Sequence, residues 1–256
     1  MNIVVYGCGW LGKQLAKALS AAGHSVQVTA SKPDSCAALQ REGLKAFRCS
    51  LPDNFSVPKD GIECALLCFP PFWRVEPASV VKVIAALRAK LPNDCRVLYT
   101  STTGVYVPGK LLAESADTLQ DEYHKSIVEF EAFVLSYRQS LVLRLAGLVG
   151  PGRHPGRFLS GRKLNNPNAP VNLVHAADIT RLVLSVTEHD SFSQKIYNMC
   201  ASLHPTRWEV YSSYCSKMGL PLPVRGESGE PAKSISSASL ISDFNFSFEY
   251  PDPQEF

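Results

Sequence analysis

Met1-Asn-Ile-Val-Val-Tyr-Gly-Cys-Gly-Trp-Leu-Gly12 opens the chain, and its reading decides the fold. The β-branched run Ile3, Val4 and Val5 predicts a buried strand, and glycines at 7, 9 and 12 predict a tight turn after it. Beyond the turn, Leu11, Leu15, Ala18, Leu19 and Ala22 recur at helical spacing. Strand, glycine turn and helix in that order form the opening unit of a dinucleotide-binding fold. Gly7 permits the turn, Gly9 keeps side-chain atoms away from a ligand, and Gly12 lets helix and strand approach closely. The helix start at Trp10, Leu11 and Gly12 then offers its amides to a pyrophosphate.

Working outward, 256 residues with 45% hydrophobic and 19% charged composition describe an ordinary globular protein with room for a large core. A formal charge of +3, with no basic block interleaved with aromatics, indicates neither nucleic acid nor an anionic membrane as partner. The first residues read as a strand rather than a leader, and no apolar run has the length of a membrane span, so a cytoplasmic location is expected. Eight cysteines are scattered without a Cys-x-x-Cys pair, which predicts free thiols and no metal site. Cys8 falls beside a helix N-terminus, a position that can lower a thiol pKa.

A second strand is expected at Ser25-Val-Gln-Val-Thr29, followed by Ala30, Ser31 and Lys32, where a doubly wound fold meets the adenosine ribose. No acid is present there to grip a ribose 2′-hydroxyl, whereas Ser31 and Lys32 suit a 2′-phosphate. This favours NADP over NAD, with Asp34 as the rival candidate for the hydroxyl. Further strands are expected near Lys45-Ala-Phe-Arg48 and at Glu63-Cys-Ala-Leu-Leu-Cys-Phe69, the latter apolar on both faces as a central parallel strand should be. It runs into Pro70-Pro71-Phe72-Trp73, at the sheet edge where a nicotinamide half would lie. After a helix carrying Val80, Val83, Ile84 and Leu87, Arg96-Val-Leu-Tyr-Thr-Ser-Thr-Thr-Gly-Val-Tyr106 predicts a strand ending in a hydroxyl-rich turn. Hydroxyls at such a turn can donate to a substrate carbonyl.

At this turn the chain resembles the extended short-chain dehydrogenase/reductase superfamily, in its NAD-dependent epimerase/dehydratase branch. The catalytic Ser or Thr of that branch stands four residues before Val-Tyr's tyrosine, here Thr102. The resemblance continues through Glu114, Leu143-Arg144-Leu145 with Gly150-Pro151-Gly152, Val174-His175-Ala-Ala-Asp178, Tyr197-Asn198 and the basic turn Ala232-Lys233-Ser-Ile. It implies that Phe69, Pro70 and Thr100 lie beside the cofactor, and that Thr103, Arg153, His154 and Arg157 meet the substrate. It also aligns Tyr123 with the tyrosine of Tyr-x-x-x-Lys, the acid/base of the family, and Ile127 with the lysine that assists it. Lys125, two residues on, points elsewhere on a helix.

The expected fold is a doubly wound parallel sheet, a Rossmann fold, with a small C-terminal lobe. Residues 1–150 with 171–201 are expected to bind NAD(P), and 151–170 with 202–256 to form the lobe that takes the substrate. The first functional reading is an NAD(P)-dependent oxidoreductase, epimerase or dehydratase acting on a small, phosphate- or nucleotide-linked carbonyl/alcohol substrate, as monomer or homodimer. The second is a non-catalytic NAD(P) sensor with a degenerate site, which Ile127 favours and which Thr102 and Tyr123 oppose.

Overall fold

The computed structural model describes residues 1–188, 196–229 and 232–256, so 189–195 of the expected first domain and 230–231 of the expected lobe lie outside it. The strands are β1 (Asn2–Tyr6), β2 (Ser25–Ala30), β3 (Lys45–Arg48), β4 (Cys64–Leu67), β5 (Arg96–Thr102), β6 (Ser140–Leu145), β7 (Gly147–Val149), β8 (Lys163–Leu164), β9 (Leu173–His175), β10 (Ile196–Met199) and β11 (Val224–Arg225). The α-helices are α1 (Trp10–Ala21), α2 (Pro33–Arg41), α3 (Val80–Arg88), α4 (Glu122–Leu135), α5 (Gly156–Leu159), α6 (Ala176–Glu188), α7 (Arg207–Lys217) and α8 (Ala238–Phe244). Seven strands form one sheet in the order β10-β6-β5-β4-β1-β2-β3, and β1 pairs in parallel with both β2 and β4. The fold is the expected doubly wound one.

That order explains why the opening stretch matters. From β1 the chain adds β2 and β3 on one side, then crosses to β4 on the other, which makes the carboxyl ends of β1 and β4 a topological switch point. Strands buried on both faces must be apolar throughout, and Ile3 to Tyr6 and Cys64 to Leu67 are each at most 2% exposed. Leu11, Leu15, Ala16 and Leu19 bury one face of α1. The helix stops where Gly23 adopts φ +90°, with the amides of Gly23 and His24 bonded to the carbonyls of Ser20 and Leu19.

Contacts divide the chain into two compact units. The first comprises Met1–Ser101, Thr118–Leu143 and Val183–Ile196; the second comprises Thr102–Asp117, Arg144–Leu182 and Tyr197–Phe256. The sequence expectation assigned 102–117, 144–150, 171–182 and 197–201 to the cofactor domain, but their contacts group them with the C-terminal residues.

The core of the first unit centres on Phe130 of α4, whose ring lies 4.9 Å from Tyr99, 5.1 Å from Trp73 and 5.8 Å from Phe69. Asp121 caps α4 through the amide of His124. Two buried polar contacts fix its rotation: Trp73 Nε1 donates to Ser126 Oγ at 2.9 Å, and Ser101 Oγ donates to Glu131 Oε1 at 2.5 Å.

In the second unit a fully buried amide takes the organising role. Asn198 accepts from Tyr106 Oη at 2.6 Å and donates to the carbonyls of Leu112 and Ser236, while its own backbone N–H donates to Glu114 Oε1. Arg144 Nη1 donates to Tyr106 Oη and to the Glu114 carbonyl, and Ser239 Oγ to Glu114 Oε2. A capping box of Thr206 and Glu209 starts α7. The C-terminal tail is docked on this unit: Tyr214 Oη donates to the Phe256 carbonyl and Lys217 Nζ to that of Gln254. Asp178 is more than the dipole-favoured acid that its place in the first turn of α6 suggests. Its buried carboxylate accepts from the amides of Glu249 and Tyr250, and burial raises its pKa against the pull of those bonds and of Arg181. His175 packs its ring 3.9 Å from that of Tyr250.

A Cβ on Gly12 would lie 2.8 Å from the Gly7 carbonyl oxygen and 3.3 Å from Val5, whereas one on Gly9 would meet nothing within 4 Å. Gly12→Ala should therefore lose about 1–3 kcal/mol in urea unfolding, the usual cost of forced overpacking, while Gly9→Ala stays within about 0.5 kcal/mol of the parent. Equal stability of the two variants would show that the close approach at Gly12 is not a constraint.

Candidate functional site

The functional side chains fall into two sets, one in each unit. In the first unit the site begins at the glycine turn. Gly7 sits at φ +86°, and a Cβ there would be 2.9 Å from the Phe69 amide nitrogen. Thr29 receives the turn: its Oγ1 accepts from Gly7 N–H at 3.1 Å and its carbonyl from Cys8 N–H at 3.0 Å. Gly9 is the N-cap of α1; it supplies no capping side chain, and no acid occupies the first helical turn. First-turn amides have no carbonyl four residues back, so this helix start, with open space above Gly9, suits an anionic group. The fit is that of a pyrophosphate cradle.

Beside the turn lies a cavity of about 340 Å³ lined by Gly7, Thr29, Ser31, Ser50, Phe69 and Phe72, among others, and by no acidic residue. Ser31 thus lines the cavity, and exposed Lys32 follows it as the N-cap of α2. Asp34 is exposed in the first turn of α2 and does not line the cavity. Pairing of β2 with β3 sets Ala30 opposite Arg48, and Arg48 Nε donates to the Ser31 carbonyl at 3.3 Å. Arg48 is a second cation at the end of β2 that the sequence reading missed, because only strand register brings it there.

Phe69 is buried, whereas Pro70 is exposed and outside the cavity lining. Thr100 Oγ1 donates to the Leu67 carbonyl at 3.3 Å, tying β5 to β4. Half-buried Tyr123 stands at the start of α4 with the Arg74 guanidinium 5.3 Å above its ring and the His124 ring 5.1 Å away, edge-on. Ile127 is completely buried and carries no charge, and Lys125, the nearest lysine along α4, is exposed.

All eight cysteines are free. The expectation that a helix start lowers the Cys8 pKa is corrected: burial pushes this thiol up to about 11, and nearby Lys13 and Lys17 offset only part of that. Desolvation of the thiolate outweighs the field of the helix end.

In the second unit, Thr102 Oγ1 accepts from Gly104 N–H at 2.9 Å, which leaves its O–H to donate. Buried Thr103 donates to the Leu145 carbonyl. Both line a cavity of about 380 Å³ together with Asn172, Arg207, Tyr211 and Lys233. Arg153, His154 and Arg157 do not line it. Arg153 is exposed and donates to the Leu148 carbonyl; Arg157 is also exposed. His154 packs edge-on to Tyr214 at 4.7 Å, and burial, then the charges of Arg157 and Lys217, lower its pKa. Arg207 and Lys233 were not among the expected site residues. A basic turn at Lys233 was visible in sequence, but nothing there tied it to Thr102.

Among the described residues, no helix is long and apolar enough to cross a membrane, and no group of His, Cys, Asp or Glu is arranged to hold a metal ion. No model of a known protein family matches the chain. It is 28% identical to Protein YeeZ of Escherichia coli K12 over 276 aligned residues, covering 98% of this chain and 97% of that one. A conserved protein of unknown function from Silicibacter pomeroyi superposes with a TM-score of 0.79 at 22% identity, over 99% and 95% of the two chains. Human epimerase family protein SDR39U1, solved with NADPH, gives 0.73 at 16% identity, over 99% and 97%. These likenesses carry the Rossmann fold across the whole chain.

Because thiolate is the reactive form, Cys8 should resist alkylation, and its rate should climb with pH toward 11 rather than level off near 8.5. At pH 8 it should react roughly 100-fold more slowly than free cysteine, as read by mass spectrometry of iodoacetamide-treated protein. A rate matching free cysteine would restore the activating helix start.

Proposed function

We propose that the chain is a member of the extended short-chain dehydrogenase/reductase superfamily, of the epimerase/dehydratase branch. It binds NADP(H) in preference to NAD(H) and works on a small carbonyl/alcohol substrate in the cytoplasm. One observation carries the reading: an uncapped helix start at the sheet's switch point, opening on an acid-free cavity with Ser31, Lys32 and Arg48 at the end of β2. Leu11 and Gly12 amides would hold the pyrophosphate, and Lys32 and Arg48 the 2′-phosphate. SDR39U1, with NADPH in its structure, lends the cofactor support from the same fold.

When bound, the cofactor supplies a hydride acceptor or donor. In this reading residues 151–170 and 202–256 contribute the substrate lobe. Thr102 donates a hydrogen bond to the reacting oxygen through the O–H left after its lone pair has accepted from Gly104. Tyr123 acts as the general acid. The second reading, a non-catalytic cofactor sensor, is favoured by Ile127, whose complete burial leaves Tyr123 without the family's ammonium.

Calorimetric titration should give NADP(H) a Kd about 10- to 100-fold below that of NAD(H), the worth of one or two charge-assisted contacts to the extra phosphate. Arg48→Gln should erase much of this preference while leaving NAD(H) affinity alone, and Gly9→Val should abolish binding of both. Equal affinity for the two cofactors, or unchanged affinity in Gly9→Val, would overturn the assignment.

Chemistry separates the two readings. Tyr123→Phe keeps the ring beneath Arg74 and removes only the hydroxyl. It should lower NADP-linked turnover at least 100-fold, with cofactor affinity unchanged, because a positioned acid contributes about that much. Turnover equal to the parent's would leave the sensor as the better account.

A further inference from the structure

The cavity of the second unit carries two cations and no acid. Of the residues that line it, only Arg207 and Lys233 are charged. Each occupies a place that works against stability. Arg207 is the first residue of α7, at the positive end of the helix dipole, and its Nε is buried with no hydrogen-bond partner among the described residues. Its guanidinium lies 5.9 Å from the centre of the Tyr211 ring. Lys233 is half-buried, and burial lowers its pKa with no carboxylate among the described residues to offset the cost.

The surroundings hold both in place. Lys233 Nζ donates to the carbonyls of Thr103 and Tyr106 at 3.0 and 3.4 Å, which leaves a third N–H. Asn172 fixes the chain on either side of Ser234, donating to the Lys233 carbonyl and accepting from Ile235 N–H. Thr102 adds a hydroxyl on the same wall. A guanidinium whose buried Nε has no partner among the described residues, a fixed ammonium and hydroxyls around a chamber of about 380 Å³ match one chemistry, a compact oxyanion.

We propose that this cavity is a binding site for a small oxyanion, the phosphate or carboxylate head of a ligand, held by Arg207 and Lys233. The site stands apart from the loop of Arg153, His154 and Arg157, and its argument does not depend on the cofactor reading. An oxygen placed here gives the buried Arg207 Nε the acceptor it lacks and sets a negative charge beside two half-buried cations. It also tells which end of a ligand enters: the anionic head, with the uncharged remainder toward the opening.

The test titrates inorganic phosphate and, separately, acetate into the full-length protein at low ionic strength, read by calorimetry. Because phosphate could also occupy the glycine turn, the titrations are repeated in Gly9→Val, where a side chain fills that cradle. Binding of either anion should persist in Gly9→Val and weaken at least tenfold in Arg207→Met. The unliganded unfolding midpoint of Arg207→Met should stay level or rise by about 2–4 °C, since an unsatisfied buried donor is removed. Arg207→Lys keeps the charge but loses the fork, so partial binding in that variant supports the assignment even if Arg207→Met folds poorly. Tighter binding of phosphate identifies a phosphoester ligand, and tighter binding of acetate a carboxylate. Loss of phosphate binding in Gly9→Val with full retention in the Arg207 variants, or no binding of either anion to the parent, would overturn the proposal. The first of those outcomes would leave the pyrophosphate cradle standing.

Discussion

The contact on which the first unit depends is the approach of α1 to the turn that precedes it. Gly12 comes so near the Gly7 carbonyl that no side chain fits between them. That approach lets α1 lie against β1, and β1 is the strand from which the sheet grows in both directions. The same tight turn leaves the helix start without a cap and brings Phe69, at the end of β4, against Gly7. One steric constraint therefore produces both the packing of the unit and the chamber beside it. Their coupling explains why a binding loop can be made of glycines without being loose: every one of its hydrogen bonds to Thr29 is made by backbone that has nowhere else to go.

Much of the first unit is legible in the sequence because its signals are local. The Ile-Val-Val run, the glycine spacing and the apolar Cys64–Leu67 segment each declare their element within a few residues, and β3 falls at Lys45–Arg48 as read. Helix α2 begins at Pro33, a residue already shaped for a first helical position. Arg48 was out of reach of local reading: its approach to Ser31 follows from parallel register between two strands. The second cavity was further out of reach, being assembled from segments near 102, 146, 172, 207 and 233 that share no periodicity. Arg153, His154 and Arg157 were expected at the substrate instead because the family resemblance assigns that role to the segment after Gly152.

Tyr123 and Ile127 show where pattern matching and packing part company. The family resemblance sets Ile127 where a cation is expected, yet Ile127 is wholly buried one turn along α4 from a half-buried tyrosine. The one guanidinium over the Tyr123 ring belongs to Arg74, from a short 3₁₀ turn far away in sequence. This cation reaches the ring from a loop rather than from the helix that carries the tyrosine. A similar lesson attaches to Asp178, whose helix-start position is true but minor beside its grip on the amides of Glu249 and Tyr250.

The amide of Asn198 has a consequence for the order in which the protein can be made. Its partners include Tyr106 and Leu112, and nearby the Leu111 amide waits for Ser234, 123 residues later. A ribosome adding about 5–20 residues per second needs roughly 6–25 s to cover that span. During that interval the 102–117 segment has left the translating ribosome with its carbonyls, its Glu114 and the Tyr106 hydroxyl still facing water. The opening strands β1, β2 and β3 of the first unit pair over a few dozen residues and have no such delay. Nascent chains should therefore pass through a stage in which the paired opening strands coexist with an unfinished second half, and that stage is the one a chaperone would meet.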